Sequence, residues 1–132
     1  MSTKTVGDKL LIKPNSTLWA DPAARVDLIR PLPDGVRQVT TPAAAATRLV
    51  FAEDARSLRA TLDAHCDGIR QPGNLWIAYP KANRADINRD SLWPILGDYG
   101  LRPISQVAVD DTWSALRFRT LAKGETFNGG RD

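Results

Sequence analysis

Short apolar runs and longer amphipathic stretches take turns along this chain, and their order predicts its elements. Ser16-Thr17-Leu18-Trp19-Ala20 is an apolar run held between Pro14 and Pro22, which reads as a strand. Asp21-Pro22 then reads as a helix start, with proline at the first helical position where its missing N–H costs nothing. Pro31 and Pro33 stop that helix near Arg30. After an Asp34-Gly35 turn, Val36 to Thr40 reads as a second strand. Thr41-Pro42 opens one alanine-rich helical turn ahead of a third strand, Arg48 to Ala52. Asp54 caps the next helix, along which Leu58, Leu62, Cys66 and Ile69 recur on one face. Gly68 is expected to close that helix as a left-handed residue. Asn74 to Tyr79 is almost wholly apolar, the mark of a strand covered on both faces. Leu92, Ile95, Leu96 and Tyr99 form another helical stripe, with Asp90 as its cap, Pro94 in its first turn and Gly100 at its close. Pro103 to Val109 and Ser114 to Arg119 are two more strands, joined by Asp110-Asp111-Thr112-Trp113.

Strand, helix, strand, helix in this order implies an α/β, Rossmann-like and mostly parallel sheet of about six strands, with helices on both faces. The last connection is too short for a crossover helix. The sixth strand must therefore run antiparallel to its neighbour and form a C-terminal hairpin. The second and fifth strands fall at the sheet edges, where pairing with a second copy would give a homodimer.

Composition narrows the class. The 132 residues suit a single domain over residues 1–122 followed by a polar, glycine-rich and flexible tail, 123–132. No apolar run reaches the ~20 residues of a membrane span, and the N-terminus has no apolar signal core; a cytoplasmic protein is expected. A single cysteine, Cys66, excludes an intramolecular disulfide, and a single histidine, His65, leaves no Cys/His zinc site. Both residues lie on the packing stripe of their helix. Eighteen basic residues face fifteen acidic ones, interspersed along the chain with no basic arm. That argues against nucleic acid as a partner.

In a parallel sheet the strand carboxyl ends share one edge, and ligands bind in the crevice there. Asp21, Glu53 and Asp54 leave strands one and three at that edge and make the usual crevice acidic. Strand four delivers Tyr79 and Lys81, strand five delivers Asp110 and Asp111, and the returning strand starts there with Trp113. Lys81, Arg84 and Arg89 gather after strand four, among Asp86 and Asp90, and arginine there suits a carboxylate or phosphate. The candidate ligand site is thus Tyr79, Lys81, Arg89, Asp110, Asp111 and Trp113, with no metal. Several of these have simpler roles open to them. Asp110 and Asp111 can shape the hairpin turn or pair with Lys81 or Arg89, and Trp113 can line a pocket or wedge the hairpin. Trp76 and Trp93 fall in apolar runs and read as core. No serine, cysteine or carboxylate pair meets a partner suited to catalysis.

Three stretches carry a family resemblance: Leu75 to Lys81, Arg89-Asp90-Ser91-Leu92-Trp93-Pro94, and Val107 to Arg119. They resemble a bacterial domain family of unknown function, which implies no activity and no site residues. More distantly, the layout resembles S-adenosylmethionine-dependent methyltransferases, which also end a Rossmann-like sheet with an antiparallel hairpin. Lys9 to Pro14, ahead of the first strand, is similar to their lead-in. The chain departs from them where cofactor is held. Ala20-Asp21-Pro22-Ala23-Ala24 lacks their glycine-rich turn, and Thr40-Thr41-Pro42 lacks the acid that follows their second strand. The expectation is a non-catalytic, methyltransferase-like binding module for a small anionic ligand or a protein partner, with no cofactor. The alternative is a divergent transferase using S-adenosylmethionine or a nucleotide-like cofactor.

Overall fold

The computed structural model describes residues 9–21, 23–29, 32–69, 74–81, 87 and 89–120, and of Cys66, Arg89, Asp90 and Thr120 only the backbone. Six strands form one sheet in the order β2-β1-β3-β4-β6-β5: β1 (Thr17–Asp21), β2 (Arg37–Gln38), β3 (Thr47–Phe51), β4 (Asn74–Pro80), β5 (Leu101–Ala108) and β6 (Trp113–Thr120). The first four are mutually parallel. β6 runs antiparallel to both β4 and β5, so the hairpin expected from the short last connection is present. β2 and β5 are the edges, also as expected.

Alternation along the strands divides the core into two layers. Trp19, Val50, Leu75, Ile77, Leu116 and Phe118 face one side. There they meet Leu58, Leu62 and Ile69 of α1 (Ala55–Ile69) and Leu92, Ile95 and Leu96 of α2 (Arg89–Gly97). Leu18, Leu49, Phe51, Trp76, Ala78 and Trp113 face the other side. They are covered by Leu10 and Ile12 of the N-terminal segment and by Val26 and Ile29. β4 is buried on both faces from Leu75 to Tyr79, which explains its unbroken apolar sequence.

The local differences from expectation have physical causes. The segment after β1 is a 3-10 helix, Ala23–Ile29, not an α-helix; with prolines following at Pro31 and Pro33 it has no length over which to settle into α geometry. β2 pairs at only Arg37 and Gln38, opposite the first two residues of β1, so it is far shorter than the run Val36–Thr40. Gly68 lies inside α1 and is not among the left-handed glycines, Gly35 and Gly100. It is needed for close approach, since a Cβ there would stand 2.6 Å from Pro42 Cγ and 3.0 Å from the Ala43 nitrogen. α2 begins at Arg89, which places Asp90 within its first turn and not ahead of it as a cap. Gly100, at φ +75°, closes that helix as the sequence indicates. The loop residues Arg84 and Asp86, the packing of Cys66, the helix-start proline Pro22 and the tail 123–132 lie outside the described residues.

The cap of α1 is reciprocal. The Ser57 N–H donates to Asp54 Oδ1 at 2.7 Å, and the Asp54 N–H donates to Ser57 Oγ at 3.3 Å. The bond from the Ser57 backbone, reinforced by the Ser57 hydroxyl and Arg56, holds the Asp54 carboxyl below its ordinary value. A carboxyl depressed in the folded state contributes stability above its unfolded pKa, and this is lost as pH falls through the folded value. Asp54→Ala is therefore expected to lower the melting temperature at pH 7. The gap from the parent should close as pH is taken below about 4, which thermal melts followed by circular dichroism will read.

Candidate functional site

The strand order reverses between β1 and β3. The chain leaves β1 toward the face of the 3-10 helix and leaves β3 toward the face of α1, so the switch-point crevice lies at the carboxyl ends of these two strands. Side chains bridge it. Arg25, in the 3-10 helix after β1, pairs with Glu53, just beyond β3, at 2.5 Å. On the α1 side, Thr61 donates its hydroxyl to Asp21 Oδ2 at 3.2 Å. The Arg25 guanidinium also lies 4.8 Å from the centre of the Trp113 ring, and Trp113 meets Phe51 edge to face at 5.3 Å. These two rings approach across β4, where Ala78 pairs with both Phe51 and Ala115 and offers only a methyl group.

The remaining sequence-predicted residues come to the same rim. Tyr79 pairs with Ser114 and Pro80 with Trp113, and the Lys81 N–H donates to the Thr112 carbonyl at 2.7 Å. Tyr79 is buried, and its hydroxyl accepts a hydrogen bond from Gln106 Nε2 at 2.8 Å. Asp110 Oδ1 accepts from the backbone N–H groups of Thr112 and Trp113, each at 2.8 Å. Of the two roles open to Asp110, the geometry displays the turn-shaping one. Trp113 is buried in the core, as a wedge under the hairpin. Lys81 is half-buried and Asp111 exposed. Arg89 enters at the first residue of α2; its side chain lies outside the described residues.

Two rim residues escaped the sequence reading, Arg25 and Thr61. A topological argument names only the residues that leave strands, whereas these reach the rim from within helices. Arg25 had a legible signal, since it lies one turn after the first strand, where the crevice forms.

The layout resemblance to methyltransferases raises S-adenosylmethionine as a cofactor, and the residues present fit it poorly. The close backbone approach that a glycine turn provides is blocked by side chains at Ala20, Asp21, Ala23 and Ala24. β2 ends at the amino-terminal half of β1. The chain after it, Thr41 to Ala44, is tied to that end by Thr17, whose hydroxyl donates to the Ala44 carbonyl at 3.1 Å and accepts from the Ala46 N–H at 2.9 Å. The residues that directly follow β2 are thus held toward the amino end of β1, away from its carboxyl end at Asp21.

At the opposite edge, His65 breaks the regular geometry of α1, at φ −125° and ψ 19°. Its ring meets Trp19 edge to face at 4.9 Å, in agreement with its reading as a packing residue. Among the described residues no group of three His, Cys, Asp or Glu side chains could hold a metal ion, and no helix is long and apolar enough to cross a membrane.

No family model matches the chain, and no curated protein matches it; the resemblance to a bacterial family of unknown function gains no support from them. Solved structures do match. The Bacillus subtilis m1A22 tRNA methyltransferase TrmK is 12% identical with a TM-score of 0.52, the match covering 91% of this chain and 67% of that one. Magnesium protoporphyrin IX methyltransferase from Synechocystis, solved with bound S-adenosylmethionine, is 9% identical with a TM-score of 0.53, covering 87% and 76%. A ribosomal protein L11 methylase from Lactobacillus delbrueckii is 10% identical with a TM-score of 0.50, covering 87% and 75%. At such identities the likeness is one of fold, and the chain has the Rossmann-like fold of S-adenosylmethionine-dependent methyltransferases.

Proposed function

We propose that this chain is a methyltransferase-fold binding module that holds a ligand at the carboxyl rim of its sheet without transferring a methyl group. The observation that carries this reading is the Arg25–Glu53 pair across the switch-point crevice, where a dinucleotide or nucleoside would otherwise lie. The ligand is a small anion or an anionic group of a protein partner. It would meet Lys81 and Arg89, with Asp111 setting the approach and Tyr79, Asp110 and Trp113 holding the rim in shape. Arg25 is already balanced by Glu53, whereas Lys81 follows β4 directly onto the rim.

The fold likeness to an enzyme solved with S-adenosylmethionine supports a second reading, a divergent transferase using that cofactor. The acidic crevice would suit its sulfonium cation. Thermal denaturation separates the two. A ligand at a hundred times its Kd stabilises by about 2.7 kcal/mol, several degrees for a domain of this size. The first reading expects no shift with S-adenosylmethionine or S-adenosylhomocysteine. It also expects that Arg25→Ala, which removes the bridge, restores none. A saturable shift that Asp21→Ala abolishes would establish the second reading and overturn the first.

A further inference from the structure

α2 carries the chain from β4 to β5 and crosses β6 on the way, since the sheet runs β4-β6-β5. Its Leu92, Ile95 and Leu96 join Leu116 and Phe118 of β6 in one layer. β5 is parallel to β4, because β6 runs antiparallel to both. A helix that links parallel strands runs back against them, so the first turn of α2 stands at the carboxyl rim, over the start of β6. The N–H groups of that turn have no partner within the helix and carry its positive end.

Ser114 lies beneath that turn. It sits between Trp113 and Ala115, which belong to the opposite layer, so strand alternation turns its side chain toward α2. Ser114 is 7% exposed, and its hydroxyl makes no hydrogen bond among the described residues. Buried hydroxyls are as a rule bonded, and one left open calls for an explanation. Its neighbours across the strands leave room for a ligand. Tyr79 stands on the β4 side, its hydroxyl accepting from Gln106 Nε2 at 2.8 Å. Ala108 stands on the β5 side, exposed and offering only a methyl group, so the Ser114 hydroxyl can be approached from there. Half-buried Lys81 enters the same rim from β4, its N–H donating to the Thr112 carbonyl at 2.7 Å.

We propose that Ser114 is a ligand-binding residue and that the group it holds is a phosphate, free or on a small molecule, seated at the amino end of α2. A phosphate-binding Ser114 presupposes the rim binding read above and gives its anion a class. One phosphate oxygen accepts from the Ser114 hydroxyl, and the others meet the first-turn N–H groups of α2 and the Lys81 ammonium. Donors arriving from the sheet, the helix and a side chain suit a tetrahedral anion, whereas a planar carboxylate leaves one of them unused.

The test is isothermal titration calorimetry of the full chain with inorganic phosphate, methyl phosphate and acetate at matched ionic strength. Saturable binding of a phosphate, tighter than that of acetate, is expected. A preference for methyl phosphate identifies an ester as the ligand and a preference for inorganic phosphate the free ion; both uphold the site. Ser114→Ala should weaken phosphate binding by about tenfold or more, the worth of a hydrogen bond to a charged group. Its melting temperature in phosphate-free buffer should hold or rise, because a buried hydroxyl without a partner is removed. Ser114→Thr keeps the hydroxyl and should restore the affinity. A serine that serves packing alone would instead lose melting temperature on becoming alanine and leave phosphate affinity unchanged. No saturable binding of either phosphate, or acetate bound as tightly, overturns the phosphate site. Binding weakened by Lys81→Ala but not by Ser114→Ala overturns the role of Ser114 and leaves the rim reading standing, while binding that neither variant weakens overturns both.

Discussion

Replacing Trp76 with alanine is expected to lower the stability of the domain by about 3–5 kcal/mol, read as a fall in the urea midpoint with little change in slope. Trp76 is only 1% exposed and lies at the middle of β4, the strand covered on both faces. Its indole N–H donates to the Leu10 carbonyl at 2.8 Å, which fastens the N-terminal segment across the sheet. Trp76→Phe separates packing from hydrogen bonding. It keeps most of the volume and leaves the buried carbonyl without its donor, at a cost of about 1–3 kcal/mol. Trp93, half-buried on α2, is the internal comparison. Its indole N–H is buried and has no acceptor among the described residues, so Trp93→Phe should cost much less than Trp76→Phe. Equal losses at the two positions would show that the bond to Leu10 carries none of the difference.

How much of this could be read in advance depended on whether a signal was local. The central strand was legible because Asn74 to Tyr79 is apolar at nearly every position, and α1 because its cap and its stripe lie within one stretch of chain. The hairpin followed from the length of one connection, and with it the register that brings Tyr79, Lys81, Asp110, Asp111 and Trp113 to one rim. β2 was overestimated because both of its paired residues are exposed; an edge strand with no buried face has no pattern to mark where it stops. Arg25 went unnoticed because its partners, Glu53 and Trp113, are 28 and 88 positions away in the chain. The direct pairing of Arg102 with Arg119 across β5 and β6 was hidden for the same reason. Their proximity arises from an antiparallel register, and a count of charges along the sequence averages it away.

Arg48 offers the sharpest test of why the crevice takes its present form. It is 1% exposed, among the largest fully buried side chains, although it carries a guanidinium. Burial pushes its pKa down, and its Nε donates to the Pro42 carbonyl at 2.8 Å. Together with Thr17 and the close contact at Gly68, this bond draws the 3-10 turn Pro42–Ala44 back to the amino edge, which keeps the end of β2 away from the crevice. Arg48→Ala leaves the Pro42 carbonyl with only the Ala45 N–H as donor and opens a cavity beside Trp19 and Leu75, its partners on β1 and β4. A loss of about 3–5 kcal/mol is expected. Arg48→Met refills the volume and removes the desolvated charge together with its donor, and buried charges replaced this way often cost little or nothing. If the guanidinium serves mainly to tie down the turn, Arg48→Met should retain most of the melting temperature while amide exchange quickens at Ala44 and Ala45, whose N–H groups close that turn onto Thr41 and Pro42. Unchanged exchange there, with stability retained, would mean that the contact of Gly68 with Pro42 holds the turn by itself. The shortness of β2 would then trace to helix packing and not to the buried charge.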